Sequence, residues 1–116
     1  MHIQINTDSN VEASDELVHR VEAEIGAALS RLRDHITRVE VHLGDESAGR
    51  SGDADKRCMV EARPAGQQPV AVTHHAATLD EACGGAAQKL RNLLDSRFGR
   101  LDDRKGGASI RTDERR

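Results

Sequence analysis

Between His2 and Asn6, Ile3 and Ile5 alternate with polar neighbours, which is the two-residue period of a short strand. A polar stretch follows. Ser14 then stands as an N-cap ahead of Asp15 and Glu16. Leu17, Val18, Val21, Ile25, Ala28, Leu29 and Leu32 recur on one helical stripe, predicting a first helix that ends near His35. Gly26 interrupts its good helix formers at some cost. From Arg38 to Leu43 the alternation returns, with Val39, Val41 and Leu43 inward and Arg38, Glu40 and His42 outward. The polar, Gly-rich segment GDESAGRSGDAD reads as a long mobile loop. A strand over Arg57–Arg63 places Cys58, Val60 and Ala62 on one face, and Pro64 and Gly66 mark a turn. Val70–His75 is a further strand, with Val70, Val72 and His74 on one side. Thr78 with Glu81 forms a capping box. Beyond it Leu79, Cys83, Ala86, Ala87, Leu90, Leu93, Leu94, Phe98 and Leu101 define the apolar stripe of a long second helix.

The order β-α-β-β-β-α predicts an α+β fold, with one four-stranded sheet and both helices on one of its faces. The last three strands are expected to pair as an antiparallel meander. No internal repeat is present. The domain is expected to occupy residues 1–105. Residues 106–116, which lack periodicity, are expected to form a disordered tail.

Composition sharpens this picture. A chain of 116 residues fits one domain with a modest core. Phe98 is its single aromatic, so the core must be built from Val, Leu, Ile and Ala. The same shortage excludes the aromatic platforms on which single-stranded bases stack. MHIQIN is neither basic nor a long apolar run, and no stretch is long enough to span a membrane, so a cytoplasmic location is expected. Cys58 and Cys83 make no disulfide framework. Both fall at apolar positions of predicted elements and are expected to be buried free thiols.

The formal charge is −3, yet KLRNLLDSRFGRLDDRK, residues 89–105, concentrates six bases at the end of the second helix. With Leu79 at zero and 100° per residue, the apolar stripe runs from roughly −60° to +100°. Lys89, Arg97, Arg100 and Arg104 fall between roughly −80° and zero, while Asp80, Glu81, Asp95 and Asp102 fall between roughly 100° and 200°. Bases thus line one flank of the buried stripe and acids the other, with Arg91 and Asp103 blurring the division. Arg97 and Arg104 lie within the apolar arc, which predicts last turns that project beyond the core. Arg20 and Arg31 share one polar edge of the first helix. A basic band of this kind can neutralise phosphates. Bases near a helix C-terminus also favour the macrodipole, and mixed charge on a helix is commonly a solvated face.

Other chemistry finds no support. His74 and His75 are adjacent in a strand and point to opposite faces, so with His42 they match no zinc pattern. Asp45, Glu46, Asp53 and Asp55 lack calcium-loop spacing. No nucleophile elbow, phosphate loop or activated thiol motif is present. The chain is read as a non-enzyme with no metal or other cofactor and no small-molecule substrate.

The strand-helix order, the segment ITRVEVHLGDE and the segment DKRCMVEARPAGQQPVAVTHHAATLDEACGGAAQKLRNLL resemble the ribosome hibernation-promoting factors. These are the ribosome-associated inhibitors of bacteria, also called sigma-54 modulation proteins. The resemblance spans residues 1 to about 101 and is to the short form, which lacks an extra C-terminal dimerisation domain. It implies a fold similar to a double-stranded-RNA-binding domain. It implies a stress and stationary-phase factor that binds the small ribosomal subunit and its rRNA near the decoding region, occluding mRNA and tRNA. By position, Lys89 and Arg100 match basic sites of the family's second helix, Arg97 and Arg104 extend that face, and Arg20 and Arg31 are looser matches on the first. Glu12, Asp15, Glu16, Glu22 and Glu24 make the first helix more acidic than the resemblance expects. The alternative is a protein-interaction module on the same fold, using the exposed sheet face around His42, Met59, Glu61 and Arg63 or an edge strand.

Overall fold

The computed structural model describes residues 1–9, 11–12, 14–46 and 55–106, with side chains as far as Gly99. Four strands form one sheet in the order β1-β2-β3-β4: β1 His2–Thr7, β2 Ile36–Asp45, β3 Lys56–Pro64 and β4 Val70–Ala76. β1 lies parallel to β2, with Ile3 beside Val39 and Ile5 beside Val41. A parallel pair needs a crossover, which the helix α1, Asp15–Ala28, provides. β2, β3 and β4 are the expected antiparallel meander, pairing Val41 with Val60 and Val60 with Val72.

Alternation along each strand sends one set of side chains under the helices. Val39, Val41, Leu43, Cys58, Val60 and Ala62 are all fully buried. They meet Val21, Ile25 and Leu29 from the first helical segment and Ala82, Cys83, Ala86, Leu90 and Leu94 from α2, Leu79–Gly106. Both expected caps are present. Ser14 Oγ accepts from Leu17 N at 3.1 Å, and Thr78 Oγ1 accepts from Glu81 N at 3.1 Å.

The first helix ends earlier than its periodicity predicts. α1 stops at Ala28, and Ser30–His35 forms a 3-10 segment that leads into β2. Leu32 N bonds to Leu29 O, three residues back, which tightens the chain before the strand. Leu32 therefore keeps its place at the core while Arg31 and Arg33 leave the α-helical register. Val11 is buried in the β1–α1 connection, a contribution no periodicity signals. α2 reaches Gly106, the last described residue. The expected tail and the long β2–β3 loop fall largely outside the described residues.

Candidate nucleic-acid interface

The position of α2 on the sheet follows from small side chains. A methyl on Gly84 would come within 3.1 Å of Glu24 Oε2, and one on Gly85 within 2.6 Å of His74 Cγ. The helix therefore sits close against α1 and over β4. Its contacts with α1 and the 3-10 segment that follows run in ascending order: Arg20 Nε to Asp80 at 2.9 Å, Glu24 beside Gly84, and Arg31 Nη2 to both oxygens of Asp95 at 3.0 and 3.1 Å. The two helices therefore run parallel.

These pairs separate the sequence-predicted bases into two kinds. Arg20 and Arg31 bridge to acids of α2, so their charge is matched inside the domain. Asp95 also receives Arg91 at 3.7 Å. Lys89 and Arg97 instead bind neutral carbonyls. Lys89 Nζ donates to Thr73 O on the edge strand β4 at 3.0 Å, and Arg97 Nη1 donates to Gln68 O at 3.0 Å in the β3–β4 turn. A carbonyl orients a cation without cancelling its charge, so both keep a positive field on this flank. Arg97 is half-buried, which explains a base inside the apolar arc: it fastens the turn to the helix. The side chains of Arg100 and Arg104 lie outside the described residues.

Two further bases escape a helical-wheel reading. Arg33, in the 3-10 segment, and Arg63, on the outer side of β3, are exposed and have no acidic partner among the described residues. Strand alternation puts Arg63 outward, but only the register shows that it faces Arg38, whose charge Glu40 already takes at 2.9 Å. Lack of an acidic neighbour is a property of the fold and has no signature in the local sequence.

The outer sheet face, the alternative site, is largely self-paired. His42 lies 3.7 Å from Glu40, Arg57 reaches Asp8 at 3.1 Å, and His75 Nε2 is 3.1 Å from Glu46 Oε1. Arg57 crosses β2 over Gly44, where a methyl would stand 2.7 Å from its Nη2. Among the described residues Leu93 is the only exposed large hydrophobic, and it lies on α2, so the sheet face carries no apolar patch of the kind protein partners use.

Cys58 and Cys83 are free and fully buried, as expected. The sequence does not show that β3 and α2 bring them together. The hydrogen bond between them, reinforced by burial, drives the Cys58 thiol far up, and the same bond brings the Cys83 thiol down against the effect of its burial. His74 faces inward, half-buried against Gly85, and His75 faces outward. No group of three His, Cys, Asp or Glu among the described residues is placed to hold a metal ion. No described helix is long and apolar enough to cross a membrane.

Comparison with curated proteins gives no match. Among solved structures, a ribosomal subunit interface protein from Coxiella burnetii superposes with a TM-score of 0.68 at 17% identity, over 85% of this chain and 99% of that one. The N-terminal domain of Thermus thermophilus Protein Y gives a TM-score of 0.67 at 26% identity, over 84% of this chain and 99% of that one. The family model described as sigma 54 modulation protein / S30EA ribosomal protein matches residues 3–102. With its strand-helix order, its parallel helices and a match over nearly all of its folded length, the chain belongs to the sigma 54 modulation protein / S30EA ribosomal protein family.

Proposed function

We propose that this protein is a ribosome-associated stress and hibernation factor that binds the small ribosomal subunit near the decoding region and blocks translation by occlusion. The observation that carries the reading is the flank of α2. There Lys89 and Arg97 are held in place by carbonyls of β4 and the turn that precedes it while their charge stays available. Family membership supplies the ribosome as the context for that flank. Arg100 and Arg104 continue the same helix towards the partner. Arg20 and Arg31 act mainly as struts that hold α1 and the 3-10 segment after it against α2, through Asp80 and Asp95.

The contact is with backbone and shape. Phe98, the single Phe, Tyr or Trp, packs against His35, ring centroids 5.3 Å apart, so the usual Phe or Tyr platform for stacking bases is absent. Phosphate neutralisation then supplies the affinity, and the mechanism is steric: no bond is made or broken, and the protein works by filling the path of mRNA and tRNA.

The test is co-sedimentation of the Lys89→Glu/Arg100→Glu double variant with isolated small subunits. Reversal at both sites is expected to abolish binding while circular dichroism remains that of the folded protein. A folded double variant that binds like the parent sinks the assignment of the flank. Binding to a protein partner that is unaffected by the reversal favours the interaction module.

A further inference from the structure

Charge in this molecule is sorted along the strand direction, and the sorting involves more than the helix ends. β1 and β2 run one way and both helices run back, so one end of the domain collects the 3-10 segment, the start of β2, the end of β3, the β3–β4 turn and the later turns of α2. Four contacts hold this end together. Ala65 N donates to His35 O at 2.8 Å, Thr37 Oγ1 donates to Arg63 O at 2.9 Å, Arg97 Nη1 donates to Gln68 O at 3.0 Å, and the His35 ring packs on Phe98. Gly66, at φ 72°, supplies the left-handed residue that lets the turn close between them.

Arg33, Arg63 and Arg97 all project from this end without an acidic partner among the described residues. Asp34 is the exposed acid beside them, and Asp95 is occupied by Arg31 and Arg91. The opposite end gathers six exposed acids: Asp80 is paired with Arg20, and Asp8 and Glu46 with Arg57, while Asp15, Glu16 and Glu81 have no basic partner among the described residues. Helix macrodipoles favour acids at the N-termini and bases at the C-termini. They do not account for Arg63 on a strand or Arg33 in a 3-10 segment.

We propose that the end built around the 64–69 turn is a phosphate-binding pole. Arg33, Arg63 and Arg97 grip the backbone of folded rRNA, and the acidic end points away from it. The inference rests on the reading that the partner is ribosomal RNA, and it enlarges the contact from one helix flank to a cap that wraps the turn. Asp15, Glu16 and Glu81 at the opposite end, without basic partners among the described residues, also orient the protein as it approaches a polyanion, because that end is repelled.

The experiment measures binding of the full chain to isolated small subunits across a salt series. Arg33→Glu and Arg63→Glu, singly and together, are compared with Lys56→Gln, which removes a base paired with Asp45 at the other end. Arg33→Gln and Arg63→Gln serve as milder versions if a reversal unfolds the protein. Each pole substitution is expected to weaken binding and to lower the slope of log affinity against log salt by about 1. Lys56→Gln is expected to leave the slope unchanged. Wild-type binding with unaltered slopes in both pole variants overturns the pole and leaves the ribosomal reading standing. Absence of wild-type binding at every salt concentration overturns that reading and the pole with it.

Discussion

Replacing Gly85 with alanine tests the seat of the helix that carries the basic flank. The added Cβ would lie 2.6 Å from His74 Cγ and closer still to the ring atoms beyond it. Ordinary carbon contacts are about 3.5–4.0 Å, so ring and helix must separate by roughly 1 Å. The imidazole is half-buried under α2 and paired in register with the buried Cys58, which limits its retreat. Overpacking of this kind costs about 1–3 kcal/mol, and alanine in a helix interior returns about 1 kcal/mol. The net loss is then about 1 kcal/mol, a fall in Tm of roughly 4–8 °C for a domain of this size. Urea denaturation followed by far-UV circular dichroism measures it. Two comparisons isolate the cause. Gly26→Ala on α1 places its methyl 4.0 Å from Ile3 Cδ1, an ordinary contact, and is expected to stabilise by about 0.5–1 kcal/mol. In a His74→Ala background Gly85→Ala should turn from destabilising to stabilising, a coupling of at least about 1 kcal/mol. A Gly85→Ala protein as stable as the parent, or the same penalty with His74 removed, refutes the reasoning. Because Lys89 lies one turn further along α2, a lifted helix should also loosen its bond to Thr73 O and weaken subunit binding.

Asp95→Asn removes the acid that holds Arg31 and Arg91. It should cost less than about 1 kcal/mol, since the pairs are largely exposed, yet tighten subunit binding and steepen its salt dependence as Arg31 is released. Ser14→Ala deletes the α1 cap and should lower stability by about 1 kcal/mol in the same urea assay, with subunit binding by the folded protein unchanged. Cys58 titrates above its ordinary value of 9.0 because of its hydrogen bond to Cys83 and its burial. Its protonated form therefore supports the fold fully below pH 9 and loses that contribution as pH rises further, while Cys83, lowered by the same bond, works in the opposite and smaller sense. Stability measured from pH 8 to 10 should fall more steeply in the parent than in the Cys58→Val/Cys83→Ala double variant, which has neither thiol, and equal slopes would count against the buried pair.

Local chemistry accounts for most of what could be read along the chain. Period-two runs at Ile3–Ile5, Val39–Leu43 and Cys58–Ala62 and the Ser14 and Thr78 caps are written within a few residues of sequence, and they suffice for the sheet and both helices. Arg97 is instructive in the other direction. Its place in the apolar arc is visible as an anomaly, but its bond to Gln68 O depends on a turn 29 residues away. Pairing of Arg20 with Asp80 and of Arg31 with Asp95 joins groups 60 and 64 residues apart, so no wheel drawn on one helix can tell a free base from a matched one. The early end of α1 at Ala28 is equally a tertiary matter, because the chain must turn back there to begin β2. Arg33 and Arg63 belong to the same class: exposure can be read locally, while isolation from acids cannot.

The central claim is that a net-negative protein binds a polyanionic particle through locally unmatched bases and excludes mRNA from it. Binding of the wild-type protein to isolated small ribosomal subunits, measured across a salt series with and without a bound mRNA and initiator tRNA, tests both halves at once. The account predicts saturable binding at low salt, a steep linear fall of log affinity with log salt, and loss of binding when mRNA and tRNA occupy the subunit. Binding that ignores salt, or that proceeds equally well on mRNA-loaded subunits, contradicts it.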